Sequence, residues 1–419
     1  MPLTVPTTIF PSERRAIGIA RETTPGTGVL PVYTVPVQGF VPEDKPIWLP
    51  DTSLRAAMAE TYGLIQGPYV ADLALDNSPV YGDTIGHFLW NILGDYTATG
   101  SNVTPNTTTT ATLSPGATLV PMLSTTSFTS GMWIQVDINT TGGPYNAEMV
   151  QLSGLSAGTG TLTAGTPIRL SHIATATVSN TSAPYTHRFS LLNGTANAQP
   201  PSHTLTDKNF INTTSLSRWY PFSCISDITF TGNAEALFRW TGKGMGYANS
   251  TPGSPPTVNV STVPAQPVWR SLVGLGGTAG GTSELYQIAE WEFNLMRVVE
   301  PYFTADGAQN PFVFGRGKFS TKGKMNFMPT LDESPLYDML NNTQPQVQII
   351  QSNGLAGTAA VSVTFDLQVT AFDASVIEPG KALFGYNDTF QAIANTTNIG
   401  NSAGYSPLSV TVVNSVPSY

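Results

Sequence analysis

The chain has 419 residues, enough for two or three domains and a sizeable core, yet only 11% of them are charged, less than half the usual share. Thr, Gly, Pro and Asn fill the difference, which predicts an all-β protein with many turns and a hydroxyl- and amide-coated surface. A formal net charge of −9 argues against a nucleic-acid clamp, and one cysteine, Cys224, excludes an internal disulfide framework and a four-cysteine zinc site.

The N-terminal MPLTVPTTIFPSERRA places two prolines ahead of its few apolar residues and its basic pair after them, the reverse of a signal peptide. No run approaches eighteen uninterrupted apolar residues, so the expectation is a chain folded in the cytoplasm with no membrane span. Asn-X-Thr triplets such as that at Asn139 then reflect the Asn/Thr bias of the composition.

Residues 78–93, SPVYGDTIGHFLWNIL, predict the main helix: a Ser cap, Pro in the first turn, Ile85, Phe88, Leu89 and Ile92 at helical spacing, and Gly94 as the stop. SNVTPNTTTTATLSPG (101–116) is almost pure turn and hydroxyl residues and predicts a linker, with a second soft boundary at 179–184. Strand signals between them, at 119–123, 132–138, 148–152, 161–163 and 168–173, predict a small inserted β-module spanning 97–186.

Three motifs inside and beyond the module invite chemistry and fail on context. VDINTTGGPYNAEM nearly spells a calcium loop from Asp137 to Glu148, but β-formers flank it where an EF-hand needs helices, so a hairpin loop is expected. GLSAG (154–158) matches a nucleophile elbow, yet the following TGTLTAGTP cannot be helical, which leaves Ser156 as a turn residue. GLGGTA (274–279) matches a dinucleotide fingerprint, but Gly280 and Gly281 stop a helix from opening under the phosphate. The four histidines, His87, His172, His187 and His203, have no close metal spacing. The expectation is no enzyme, no cofactor and no metal.

Residues 285–303 and 312–328 flank the turn signal Asp306-Gly307 and predict an antiparallel hairpin, with Glu290 and Glu292 on one face roughly opposite Lys324 and Lys322 as a cross-strand charge ladder. Ser334-Pro-Leu-Tyr predicts a short second helix. In AVSVTFDLQVTA (360–371) apolar and polar residues alternate, which predicts one half-buried strand.

A wider likeness rests on GIARETTPGTG (18–28), FVPEDKPIWLPDTSLRAAMAETYGLIQGPY (40–69), DTIGHFLWNILGDY (83–96), HTLTD (203–207), GNAEALFRWTGKG (232–244), EPYFTADGAQNPFVFGRG (300–317) and DESPLYDMLNNTQP (332–345). In this order, over about half the chain, these segments resemble the tail tube, or major tail, proteins of bacteriophages with long non-contractile tails. The resemblance implies a mainly β fold, a tail-tube-like β-sandwich or barrel with a flanking α-helix. Its core would be discontinuous, 1–96 and 187–380, with 97–186 as an inserted decoration module and 381–419 as a C-terminal extension.

Functionally it implies a structural virion protein, assembled in the host cytoplasm and located in the tail, whose homo-hexameric rings stack into a tube. The tape-measure protein and double-stranded DNA pass through the lumen, and tail terminator and distal tail proteins cap the ends. Polar loops such as 40–68 and the Gly-rich 274–283 would join subunits and rings. A continuous sheet would line the lumen, built from strands at 285–299, 314–328, near 226–240 and at 360–371. Asp227, Glu290, Glu292 and Asp366 would face the channel, with Lys322 and Lys324 partly neutralised by the glutamates. The alternative is a receptor-binding or adhesion protein with a glycan-binding β-module, and a cell-envelope hydrolase using Ser156 comes third.

Overall fold

The computed structural model describes residues 15–419 except 32, 57, 101–105, 137–147, 164–166, 169, 181–184, 194–198, 210–216, 250–253, 255, 257, 259–260, 262, 264, 280–287, 329–333, 354–360 and 379–384. The fold is mainly β, with 56% of residues in strands and 6% helical. The chain begins with β1 (Arg15–Arg21), β2 (Tyr33–Val35), β3 (Phe40–Asp51), β4 (Gly63–Pro79), helix α1 (Ile85–Leu93) and β5 (Gly94–Thr99). Six short strands follow: β6 (Thr107–Thr108), β7 (Leu119–Pro121), β8 (Trp133–Val136), β9 (Glu148–Ser156), β10 (Thr159–Leu162) and β11 (Thr177–Ser179). Next come β12 (Tyr185–Leu191), β13 (His203–Asn209), β14 (Ser217–Asn233), β15 (Arg239–Gly246), β16 (Leu272–Leu275), β17 (Ile288–Tyr302) and β18 (Val313–Phe327). Helix α2 (Ser334–Asn341) precedes β19 (Val347–Ser352), β20 (Ser362–Leu367), β21 (Thr370–Glu378), β22 (Gly385–Ala392) and β23 (Ser409–Asn414).

The main sheet has 11 strands, in the order β2-β1-β13-β14-β17-β18-β22-β21, with β15, β4 and β3 branching from β14. The branch exists because β14 is long enough to serve two partners on one side: Tyr220 pairs with Leu205 of β13, and Phe230 pairs with Trp240 of β15. Between the two halves the backbone jogs, with Phe222 at φ 53° and a bulge at Ile225/Asp227. The buried carboxylate of Glu22 holds this jog, accepting hydrogen bonds from the backbone N–H of Phe222 (2.8 Å) and Gly26 (2.9 Å) and from the hydroxyls of Ser202 (2.6 Å) and Thr204 (2.8 Å).

A second sheet, β16-β19-β20-β23-β12-β5, packs on the main one. Phe365 of β20 meets Phe230 of β14 (ring centroids 4.8 Å apart) and Phe293 of β17 (5.4 Å), so the two sheets share one core. Helix α1 completes that core. Eight of its nine residues are buried, and Phe88 stacks at 4.6 Å on Trp240. A helix apolar on nearly every side has to be enclosed.

Residues 107–179 make a third sheet, β6-β11-β8-β9-β10-β7, around a separate core of Val120, Met122, Ile134, Val150, Leu152 and Val178, among others. A bridge between Thr109 and Met122, with Leu123 N–H donating to the Thr108 carbonyl at 2.9 Å, joins β6 to β7 and closes the sheet into a small barrel. The barrel enters from β5 and leaves through β12, and those strands pair directly, Thr99 opposite Thr186.

Several expectations need correction. The helix predicted over 78–93 starts at Ile85, because Ser78 and Pro79 belong to β4 and the Ser78 hydroxyl donates to the Asp76 carbonyl instead of capping. Its stop at Gly94 is found, at φ 93°. The linker predicted at 101–116 is, from Asn106 on, part of the barrel: Thr109 and Leu113 are buried, since a threonine methyl packs inward while its hydroxyl bonds a carbonyl. Residues 168–173 form only an isolated bridge at His172. Residues 40–68, expected as a polar loop, are the paired hairpin β3–β4. The single strand expected over 360–371 breaks after Leu367, where the chain crosses from the second sheet to the main one. The stretch 381–419, expected as an extension, supplies β22 beside β18 and β23 between β20 and β12. Residues 137–147 of the suspected calcium loop lie outside the described residues, but β8 and β9 on either side pair antiparallel, Val136 opposite Glu148. Ser156 ends β9 at a two-residue hairpin turn with Gly158 at φ 75°.

Because β5 and β12 are antiparallel neighbours, replacing residues 101–184 with a short Gly-rich turn is expected to leave the two-sheet core folded at modest loop-entropy cost. Circular dichroism and a cooperative melt check this; a chain that no longer melts cooperatively would make the barrel part of the core's folding unit.

Candidate assembly surface

The hairpin β17–β18 sorts its side chains by strand parity. Trp291, Phe293, Leu295 and Arg297 are buried, while Glu290, Glu292, Asn294 and Met296 face outward. Glu292 lies opposite Lys324 and meets it at 3.2 Å, Glu290 lies opposite Asn326, and Lys322 lies opposite Asn294. The charge ladder is thus displaced by two residues from the predicted one. Bulges at Ile288/Glu290 and Arg297/Val299 set a register that alternation alone does not encode.

Neighbouring strands extend this outer face. On β14, Asp227 accepts both amide contacts of Asn294 at 3.2 Å and sits in register with Lys243 of β15. Arg239, Lys243, Lys322 and Lys324 therefore share the face with Asp227, Glu290, Glu292 and Asp373, and Asp373 accepts from the Thr389 hydroxyl of β22. Toward the arm the same face continues with Asp72, Glu43 and Lys45, so charges of both signs are interspersed across it although the chain carries −9.

Five of the six residues singled out from sequence meet here: Asp227, Glu290, Glu292, Lys322 and Lys324. Asp366 does not. It belongs to β20 of the second sheet, where Phe365 points into the shared core and Asp366 points away, held by Gln346 (2.8 Å) and Gln368 (3.2 Å). Asp366 alternates as regularly as the others, and periodicity carries no information about which of two sheets a strand joins.

Two further features were missed. First, the β3–β4 hairpin projects as an arm whose end exposes Trp48, Leu49, Leu64 and Ile65, and whose connecting segment leaves Leu54 100% and Met58 104% exposed. At its root Lys45 bonds Asp72 (2.6 Å) and Glu43 (3.2 Å), and these two carboxylates push the Lys45 pKa up. The cluster of aromatic and aliphatic residues in PIWLP was the available signal. Second, two arginines bury beneath the charged face. Arg297 is 5% and Arg316 6% exposed, and they donate to the last carbonyls of α1: Arg297 to Ile92 (2.9 Å), Arg316 to Asn91 (2.6 Å). Burial, reinforced by the neighbouring Arg316, lowers the Arg297 pKa to about 10, so it stays charged at neutral pH. Nothing in the spacing of either arginine signals this role.

The histidines are structural. His87 and His187 are driven by burial down to about 3 and about 4, and His203 well below its ordinary value, so all three are neutral at pH 7. Among the described residues no group of three or more His, Cys, Asp or Glu is placed to hold a metal ion, and no helix is long and apolar enough to cross a membrane. No protein-family model and no curated protein matches the chain.

Two substitutions separate the exposed ladder from the buried clamp. Lys324→Met is expected to cost under about 1 kcal/mol, as for an exposed pair. Arg316→Met, which strips a buried helix end of its donors, is expected to cost about 2–4 kcal/mol. Urea denaturation of both variants measures the contrast, and equal costs would remove Arg316 from the clamp.

Proposed function

We propose that this chain is a structural virion protein that polymerises as stacked, hexameric rings into the tail tube of a long, non-contractile-tailed bacteriophage. In that role it is the conduit through which the tape-measure protein and the genome leave. The observation that carries the reading is the arm: a paired hairpin whose apolar end is exposed among the described residues. Exposed apolar surface of this kind marks an interaction site, and a structural protein that repeats itself supplies the partner as another copy. The segments that resemble tail tube proteins fall on this arm, on α1, on the β14–β15 turn and on the tip of β17–β18, and also on β1, β13 and α2.

The mixed-charge outer face of the main sheet fits the wall of such a conduit. Duplex DNA carries about one charge per 1.7 Å, and a cationic wall would hold it through counterion release. A wall of paired opposite charges neither traps nor strongly repels the passing polymer. Asp366 has no place in that wall, being on the other sheet.

The closed barrel at 107–179, with its own core, favours a second reading: a receptor-binding or adhesion protein whose barrel binds glycans. Negative-stain images of the purified protein decide between them. Rings or hollow tubes support the first reading, and monomers that bind host cells support the second.

Trp48→Asp combined with Leu54→Asp is expected to leave the circular dichroism and melting temperature unchanged, since both side chains face solvent, and to abolish polymerisation. Tubes of normal length from this variant would remove the arm from assembly. Glu290→Gln with Glu292→Gln leaves Lys322 and Lys324 without the neighbouring glutamates; tubes should form, with genome ejection slowed more at low salt than at 0.1 M, where the Debye length is about 10 Å. Ejection unchanged at every salt concentration would place this face outside the channel.

A further inference from the structure

Asp388 is a buried ionisable group outside the surfaces described above. It lies on β22 with its side chain on the core side, in line with Tyr386 and Phe390, and is fully buried. Among the described residues no hydrogen bond of ordinary geometry reaches either carboxylate oxygen, and the Ser375 hydroxyl across the sheet is the one donor close enough to act on it. Its neighbours across the sheet are Met325 of β18 and Ser375 of β21. On either side along β22, Tyr386 stacks on Phe327 (5.6 Å) and Phe390 packs on Phe372 (5.8 Å), so the carboxylate stands in an aromatic floor.

An unpartnered buried carboxylate is costly when ionised and cheap when neutral. Among the described residues the elements around it offer no counter-charge. On β18, Lys322 and Lys324 are on the opposite face; on β21, Asp373 is on that outer face too; on α2, which packs on β21, the titratable groups are Asp338, itself pushed up by burial, and the exposed Tyr337. What does act on Asp388 is burial first, raising its pKa to about 6 from 3.8, opposed only by the Ser375 hydroxyl.

The corner that buries Asp388 is also thinly held. β21 is the outermost strand of the main sheet, bonded to β22 alone. Helix α2 has eight residues, too few to be stable unless packed, and leaves Tyr337 and Leu340 exposed, with Met339 reaching the core. We infer that Asp388 is a proton-operated latch on this corner: neutral, it lets β21, with α2 packed on it, close against β22, and ionised, it favours their release. This holds whether or not the chain forms tubes.

The sign follows from linkage. The closed corner binds more protons than the open one between the ordinary carboxylate value and about pH 6, so closure weakens as pH rises through that window and is level above it. Between pH 5 and pH 7.5 the open population should rise about tenfold.

Hydrogen exchange of the β21 and α2 amides in the full chain, corrected for intrinsic rates, reads this directly. The wild type is expected to lose about tenfold in protection from pH 5 to pH 7.5, Asp388→Asn to lose none, and Asp373→Asn, on the exposed face, to behave as wild type. The same pH dependence in Asp388→Asn as in wild type would overturn the latch. So would a wild-type Asp388 carboxyl that titrates near 4 by carbon-detected NMR, a measurement that needs no variant to fold.

Discussion

The arrangement depends on how the end of α1 is satisfied. A helix leaves its last carbonyls without intrahelical partners and concentrates about half a negative charge there. In α1 the last turn has no basic residue of its own and is enclosed on nearly every side. Arg297 from β17 and Arg316 from β18 supply the missing donors from one hairpin, and Arg316 also reaches the Pro201 carbonyl (3.2 Å) and the Cys224 sulfur (2.9 Å). The hairpin, the helix and the start of β13 and β14 are thereby tied at one point. Asn91 adds the reciprocal tie from the helix, accepting from Ile225 N–H (2.7 Å) and donating to the Ser223 carbonyl (2.8 Å) at the jog in β14.

That point also fixes which way the long hairpin faces. Arg297 must be inside to reach α1, and strand parity then puts Trp291, Phe293 and Leu295 inside with it and Glu290, Glu292 and Asn294 outside. A slip of one residue would bury two glutamates and expose a tryptophan. The mixed-charge outer face is therefore a consequence of the clamp within, and the two arginines do more to define that face than the surface ion pair at Glu292 and Lys324, which solvent screens.

What the sequence discloses and what it hides divide along the range of the physics. Local rules found the β17–β18 hairpin, α2, the stop of α1 at Gly94 and the β8–β9 pairing, because turn chemistry and side-chain periodicity act over a few residues. Sheet membership is not local. Asp366 and Asp227 look alike in alternation yet face opposite ways out of the sandwich, and β22 and β23, which resemble a tail, fill interior positions in two sheets. The buried polar ties at Glu22, Arg297 and Arg316 were illegible for the same reason: each joins segments far apart in the chain, and a lone charged residue in sequence looks like surface.

The arm shows how composition can mislead and then explain. Its prolines, Pro42, Pro46 and Pro50, made the segment look like loop, but they share strand parity and β3 still pairs with β4 from Phe40 to Asp51. A ladder cannot run through residues that lack an N–H, so these prolines occupy the positions directed at the free edge. That edge is consequently stripped of donors at regular intervals and resists the addition of another strand, a common defence against uncontrolled pairing. β2, the other short strand on that side of the sheet, is flanked by Pro31 and Pro36. On this side the exposed apolar surface belongs to side chains: Trp48 and Leu49 on one strand, Leu64 and Ile65 on the other. An edge closed to backbone pairing beside an end open to apolar packing would restrict the assembly we propose to geometries in which the arm's side chains make the contact.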